Sequence, residues 1–424
     1  MKIGLINAPC TYKANPVIPD MTCLNGIAYI GAELEKAGHC VKTLDYVHNH
    51  SASLGDVADC GVVGVTSILT CYDFLKQTLP ELKRGGKTIV VGGPLISSYG
   101  LMDNLLMRVF PSIDYGVIGE GERTMIGLVN HLEGKAPMPS GIVYAEDGEI
   151  KNTGMGEVVA KLDDLAEVDW SDWGDMAEMA KGGAFNIMLS RGCYNHCDFC
   201  FKLGKGVRAF SWGRAKREIE KVAALQPRMI SYGDDVFAYN PERAIEIARF
   251  TQELGFQYVI ETRIEDLKES VLRVFKETGC QQVQIGVESF DDNVLKRAGK
   301  NQTSEEIYAG IERVQEAGIK FSAFILIGLP GETRKSLDAT IKGVRETGIR
   351  ARPRIVVPLP GTGLYAQALR EGRLDEFEML KAYSEPEHYD TLIGDWIPVN
   401  FTELPDEELL AARDRMSEIV EGRF

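Results

Sequence analysis

Three cysteines fall within one short stretch, SRGCYNHCDFCF at residues 190–201: Cys193, Cys197 and Cys200. Thiolates at i, i+4 and i+7 can wrap one metal centre and leave one coordination position unfilled, which a reactive site needs and a structural site avoids. Three is the wrong number for a disulfide framework. With His196 as a fourth ligand the same loop would close a structural zinc site. Without it the loop suits an iron–sulfur cluster with one open iron. Chance grouping of buried thiols is the bland alternative.

The elements around the loop decide what it can reach. FNIMLS, a strand pattern, directly precedes it, and RMISYGDD, QYVIETR, QVQIGVES, FSAFILIGLP and RIVVPLP follow, separated by amphipathic helices such as PERAIEIARFTQELG. This predicts an open, partial (β/α)6 TIM barrel over residues 183–360, short of the eight strands of a closed one. The cysteines then lie at the C-terminal mouth, where barrel enzymes do chemistry. Residues 1–150 also alternate strand and helix: KIGLIN, VKTLDY, CGVVGVTS, KTIVVGGP and DYGVIGEGE are strands, several ending in Gly or Ser. That pattern predicts an α/β, Rossmann-like open parallel sheet that binds a small molecule at its strand ends. Residues 151–182 are expected to link the two domains, and residues 361–424 to form a mainly helical C-terminal cap.

Composition narrows the classes. The 424 residues carry a net charge of −15, which disfavours nonspecific attraction to nucleic acid. No apolar run approaches the ~18 residues of a membrane span. The opening MKIGLINAP has a strand pattern and lacks the features of a signal peptide, so a cytoplasmic location is expected. Six of the nine cysteines are scattered singly, which is not a disulfide framework.

The CxxxCxxC spacing, with Phe199 before the last cysteine and six βα units in train, resembles the signature of the radical S-adenosylmethionine (SAM) enzymes. The resemblance implies that Cys193, Cys197 and Cys200 bind a [4Fe–4S] cluster whose fourth iron is chelated by SAM. Reductive cleavage of SAM then gives a 5′-deoxyadenosyl radical that abstracts a substrate hydrogen. It also implies SAM contacts at the barrel strand ends. Tyr232, Gly233 and Asp234 would take the amino group, and Arg263 the methionine carboxylate. Glu261 would meet a ribose or amine, with Glu288 and Ser289 at the next strand end, and Ile327, Gly328 and Leu329 would lie against the adenine.

The N-terminal half resembles the cobalamin-binding domain that precedes the barrel in one large class of these enzymes. The carrying residues are Gly64 to Leu69 (including Thr66, Ser67 and Leu69), Val90 to Pro94 (with Gly92 and Gly93), and Gly119 to Glu122 (with Glu120). The resemblance implies that the loop after the third strand lies under the corrin, with Leu69 or Thr70 beneath the metal. The GGP turn would let the nucleotide tail approach the backbone, as only glycine permits. The DxHxxG motif that supplies a cobalt-ligating histidine is absent: His39 precedes the second strand, and His48 and His50 follow it without the pattern. A vestigial sheet without cobalamin predicts much the same sequence. Methylthiotransferases, also related, carry three further cluster cysteines at N-terminal strand ends. Cys10, Cys40 and Cys71 do not fit that role, because Cys40 precedes its strand, and a C-terminal RNA-binding β-barrel is missing.

These resemblances imply a cobalamin-dependent radical SAM methyltransferase that methylates an unactivated carbon, or a phosphorus centre, of a small molecule or lipid. The substrate is expected near Asp235, Tyr239 and Trp396. A reductant such as flavodoxin or ferredoxin and sensitivity to oxygen are further implications. The rival inside the enzyme class is a rearrangement, a cyclisation or transfer of another part of SAM, with or without cobalamin. A non-catalytic cobalamin or metal sensor is the remote alternative, since a sensor has no use for a SAM site.

Overall fold

KIGLIN forms β1 (Lys2–Asn7), buried from Ile3 onward, next to the edge strand in the sheet of the first of two compact units. The structure is a computed structural model that describes residues 1–9, 25–47, 52–173, 180–383, 385 and 395–421. Cys10, Cys23, His48, His50 and part of the DTLIGDWIPVNF section lie outside the described residues.

The first unit comprises residues 1–183, 224–227 and 375–389. After β1 come α1 (Asn25–Lys36), β2 (Cys40–Asp45), β3 (Val62–Thr66), α2 (Tyr72–Arg84) and β4 (Thr88–Gly92). Then follow α3 (Pro94–Gly100), α4 (Leu105–Val109), β5 (Tyr115–Val117), α5 (Gly121–Leu132), β6 (Ile142–Glu146) and β7 (Glu149–Asn152). The sheet order is β2-β1-β3-β4-β5-β6-β7. β1 to β5 are parallel, and their continuous Val/Ile/Leu runs suit strands covered on both faces. β6 and β7 add an antiparallel hairpin edge that the sequence reading did not foresee. Its turn is Asp147–Gly148, both at positive φ (52° and 81°), as a two-residue hairpin of primed type requires. Residues 159–173 pack on this unit: Leu162, Leu165, Val168, Trp170 and Trp173 are buried, and Ala166 N donates to the buried Glu33 carboxylate at 2.6 Å.

The second unit comprises residues 184–223, 228–374 and 390–424. Its strands are β8 (Ala184–Ile187), β9 (Ser190–Arg191), β10 (Arg208–Ala209), β11 (Met229–Tyr232), β12 (Tyr258–Thr262), β13 (Cys280–Glu288), β14 (Phe321–Ile327) and β15 (Arg350–Ile355). Six of them form the parallel sheet β15-β14-β13-β12-β11-β8, as the partial barrel requires. Between them run α6 (Trp212–Ala224), α7 (Pro241–Glu253), α8 (Glu269–Glu277), α9 (Asp292–Arg297), α10 (Ser304–Glu316) and α11 (Arg334–Thr347). Toward the C-terminus lie α12 (Gly363–Arg370) and α14 (Asp406–Glu421), whereas α13 (Glu376–Ala382) belongs to the first unit. Thr303 and Thr333 start α10 and α11 with capping boxes, which satisfy backbone donors at the helix entry. No helix among the described residues is long and apolar enough to cross a membrane.

Candidate active site

The cysteine loop is pinned at both ends. β9 and β10 pair antiparallel, Arg191 opposite Arg208 and Ser190 opposite Ala209, and so bracket the three thiols. Asp234, buried at the end of β11, accepts from Leu189 N at 3.1 Å and from the Ser190 hydroxyl. Burial pushes its carboxyl up to about 6 while those two donors act against the rise. Asp235 accepts from Gly192 N at 2.7 Å. Gly192 sits at φ 90°, and a Cβ there would lie 2.4 Å from Gly206 O, so no other residue fits the turn.

Inside the loop, Asn195 is buried, and its amide nitrogen donates to Lys300 O at 2.7 Å and lies 3.6 Å from Cys197 Sγ. Its backbone N–H points at Cys193 Sγ, 3.4 Å away. Lys202 reaches back to Asn195 O. Desolvation pushes the Cys200 thiol up to about 11, Lys202 lowers it, and Cys197, Asp235 and Cys193 raise it again, so the three sulfurs lie within electrostatic reach of one another. Burial raises the Cys197 thiol as well, with Lys300 and Arg263 pulling it down. His196 is exposed. Among the described residues no three His, Cys, Asp or Glu groups converge on a single-ion position. The donor set fits a cluster instead: soft thiolates, each free to take its own iron, with N–H donors and cations beside the sulfurs. Phe199 anchors the loop by packing against the apolar cluster that includes Val294, Leu329 and Leu364.

The strand-end residues divide into two groups. Some face the site. Glu288 adopts φ 66°, just past a register shift between β13 and β14, and pairs with buried Lys300 at 3.0 Å. Glu261 is open to solvent, yet desolvation, Asp235 and Glu288 push it up to about 7, against Lys300 and Arg352. Arg263 is buried, donates to Lys300 O at 2.9 Å, pairs with Glu265 and lies 5.7 Å from the Tyr194 ring centre. Others serve the fold. The Tyr232 hydroxyl bonds Thr251 on α7 at 2.5 Å, and Ser289 meets the Thr340 hydroxyl on α11 at 3.1 Å. Gly233 donates to Ile187 O at 2.9 Å, and a Cβ there would strike Asn186. Gly328, at φ 93°, donates to buried Glu332 at 2.6 Å, while Ile327 is buried in the core. Sequence reasoning missed Asn195, Lys300 and Glu265. They are polar residues in irregular segments, where no periodicity marks them.

The first unit places its candidates around one crossover. Ser67 donates to Gly92 O through N (2.7 Å) and hydroxyl (2.8 Å), and accepts from Leu95 N and Ile96 N. Gly93 sits at φ 102°, and a Cβ there would stand 2.7 Å from Ser67 O. The close approach at the GGP turn is thus made by the protein's own backbone. Thr66 accepts from Ala8 N at 2.9 Å. Gly119 (φ 95°) donates to Ser97, and Glu120 accepts from Val159 N. Leu69 opens a short 3-10 turn, residues 69–71, in which the buried Thr70 hydroxyl has no hydrogen-bond partner among the described residues. Such an orphan fits a ligand polar group at the loop after β3. Cys40 is the first residue of β2 and exposed, at the far end from buried Cys71, as expected of cysteines that share no cluster.

Residues 187–343 match the family model of the radical SAM superfamily. An uncharacterized methyltransferase of Pyrococcus horikoshii, PH0819, is 29% identical over 360 residues, 80% of this chain and 76% of that protein. An anaerobic magnesium-protoporphyrin IX monomethyl ester cyclase of Rubrivivax gelatinosus is 26% identical over 65% of this chain, which spans about half (52%) of that relative. Among solved structures, the cobalamin-dependent S-adenosylmethionine radical enzyme OxsB, with aqua-cobalamin and S-adenosylmethionine bound, is similar in fold. The TM-score is 0.70 at 19% identity, covering 100% of this chain and 61% of OxsB.

Proposed function

We propose that this chain, whose residues 187–343 form a radical SAM domain, is a cobalamin-dependent methyltransferase acting on a small molecule in the cytoplasm. One observation carries the reading: a three-thiol loop at the end of the first barrel strand is preceded in the same chain by a parallel sheet, and the fold of this chain is similar to 61% of OxsB. The methyltransferase name of the archaeal relative supports the transfer chemistry.

Cys193, Cys197 and Cys200 would hold the [4Fe–4S] cluster, and the turn at Leu69–Thr70 with the Ser67–Gly93 crossover would receive cobalamin. Bound there, the cluster supplies the electron that cleaves SAM and cobalamin the methyl group for the substrate radical. The protein's own part is positional. Asp234 and Asp235 hold the loop, Asn195 and Lys300 favour thiolate over thiol, and Arg263 and Glu261 offer a fixed cation and a carboxyl near neutrality for the two ends of the SAM amino-acid group. A flavodoxin or ferredoxin would deliver the electron. Cyclisation is the second reading, favoured by the likeness to the cyclase.

The deciding experiment is the visible spectrum of anaerobically reconstituted protein after hydroxocobalamin loading and removal of free cofactor, followed by assay for S-adenosylhomocysteine. Corrin bands above the broad ~400 nm cluster absorption, with substrate-dependent S-adenosylhomocysteine, are expected. Cluster absorption without corrin would overturn methyl transfer through cobalamin. Corrin without S-adenosylhomocysteine would move the reading to cyclisation.

A further inference from the structure

The inner face of the six-stranded sheet carries cations that neither the cysteine loop nor the strand ends use. RARPRI, the sequence of β15, sets Arg352 and Arg354 two residues apart and so on one face, while Ala351, Pro353 and Ile355 turn to the buried side. Both arginines are half-buried, and their guanidinium carbons lie 5.7 and 6.0 Å from the centre of the Phe324 ring. Register sets Phe324 beside Arg352 on one side and Gly286 on the other. A Cβ on Gly286 would touch Glu288 Oε1 and Lys300 Nζ. The face that carries the arginines is therefore the one that carries the Glu288–Lys300 pair, next to the thiols. Glu261, on the same face, also feels the Arg352 charge.

The charges on this face are unequally matched. Lys300 has Glu288, and Arg263 has Glu265. Among the described residues Arg354 has no ion pair, and its buried Nε has no hydrogen-bond partner. An unsatisfied buried donor is costly, and a guanidinium beside an aromatic ring keeps a planar fork of N–H donors that can take an oxyanion side-on. We propose that Arg354, with Arg352 beside it on the Phe324 ring, is a substrate-recognition site inside the barrel for a carboxylate or phosphate group. The assignment of the bound molecule as substrate rests on the radical SAM reading above.

The test is isothermal titration of the full, anaerobically reconstituted chain with sodium phosphate and, separately, sodium acetate, each without and with saturating S-adenosylhomocysteine. One equivalent of either probe is expected to bind, and the tighter of the two identifies phosphate or carboxylate as the source. Arg354→Gln should weaken binding at least about tenfold. Arg354→Lys, which keeps charge without the fork, should fall between, and the exposed Arg334→Gln should bind as wild type. If Arg354→Gln fails to fold, Arg352→Gln and Arg354→Lys carry the comparison. The proposal is overturned if neither probe binds saturably, if these variants bind as wild type, or if S-adenosylhomocysteine displaces the probe, since the arginines would then serve SAM. Failure of the radical SAM reading shows separately, as missing cluster absorption, and leaves the titration readable.

Discussion

To hold the proposed cluster, Cys193, Cys197 and Cys200 must be thiolates, and burial alone works against that, raising Cys197 and Cys200. Lys202, Lys300 and the N–H groups of Asn195 offset it by supplying positive charge and donors next to the sulfurs. Cluster assembly should therefore release protons and proceed better at mildly alkaline pH. With one sulfur gone, two thiolates cannot retain the cluster. In Cys197→Ala, iron content after reconstitution should collapse and reductive SAM cleavage should fall at least about a hundredfold, beyond what loss of a supporting partner costs. Iron analysis and 5′-deoxyadenosine production measure both. Cleavage at the wild-type rate would remove the cluster from this loop.

At the scale of elements, the turn after β14 depends on one carboxyl. Glu332 is 3% exposed, accepts from Gly328 N, and is pushed up to about 8 by burial. Because the folded state holds this proton more tightly than the unfolded chain does, the stability it contributes is complete below pH 4.5. It is lost as pH rises toward about 8. Glu332→Gln keeps an acceptor for Gly328 and has no proton to lose. It should flatten that decline, and above pH 8 it should be more stable than wild type by on the order of a few kcal/mol. Denaturant titrations at pH 5, 7 and 9 would show it, and parallel pH profiles for the two proteins would refute it. Elements were also where the sequence was most legible. The strand patterns of the parallel core and barrel survive because apolar runs and glycine ends mark them. The hairpin β6–β7 was missed although Asp147–Gly148 is a strong turn signal, since EDGEIKN is mostly charged and mimics a linker. Spacing located the parallel strands except the last, where RARPRI and not RIVVPLP is the strand, yet could not say which side chains turn inward. The alternation at Tyr232 sends its ring toward α7, and the register shift before Glu288 rotates that residue into the site. Such choices depend on bulges and partners distant in the chain.

At the scale of the whole molecule, the chain returns to its first unit after most of the second has been traced. Residues 375–389 return to the first unit, where α13 buries Met379 and Leu380, and Tyr383 lies within electrostatic reach of the fully buried Tyr99. The chain then goes back to the second unit, where α14 buries Leu409 and Met416. Deleting residues 375–424 should therefore weaken both sheets, each by several kcal/mol, from the few large apolar side chains lost. Hydrogen exchange at β3–β4 and at β14–β15 should both accelerate. Unchanged protection of β3–β4 in the truncated chain would show that the first unit does not need its late segment.

That threading also orders events on the ribosome. The first unit emerges first, as domains made from contiguous sequence do when they fold during synthesis, but the tyrosine that closes against Tyr99 is made only after the entire second sheet. The N-terminal core is therefore completed only after the strands of the second unit have been made. Until then the nascent first unit lacks the apolar cover that Met379, Leu380 and Tyr383 bring.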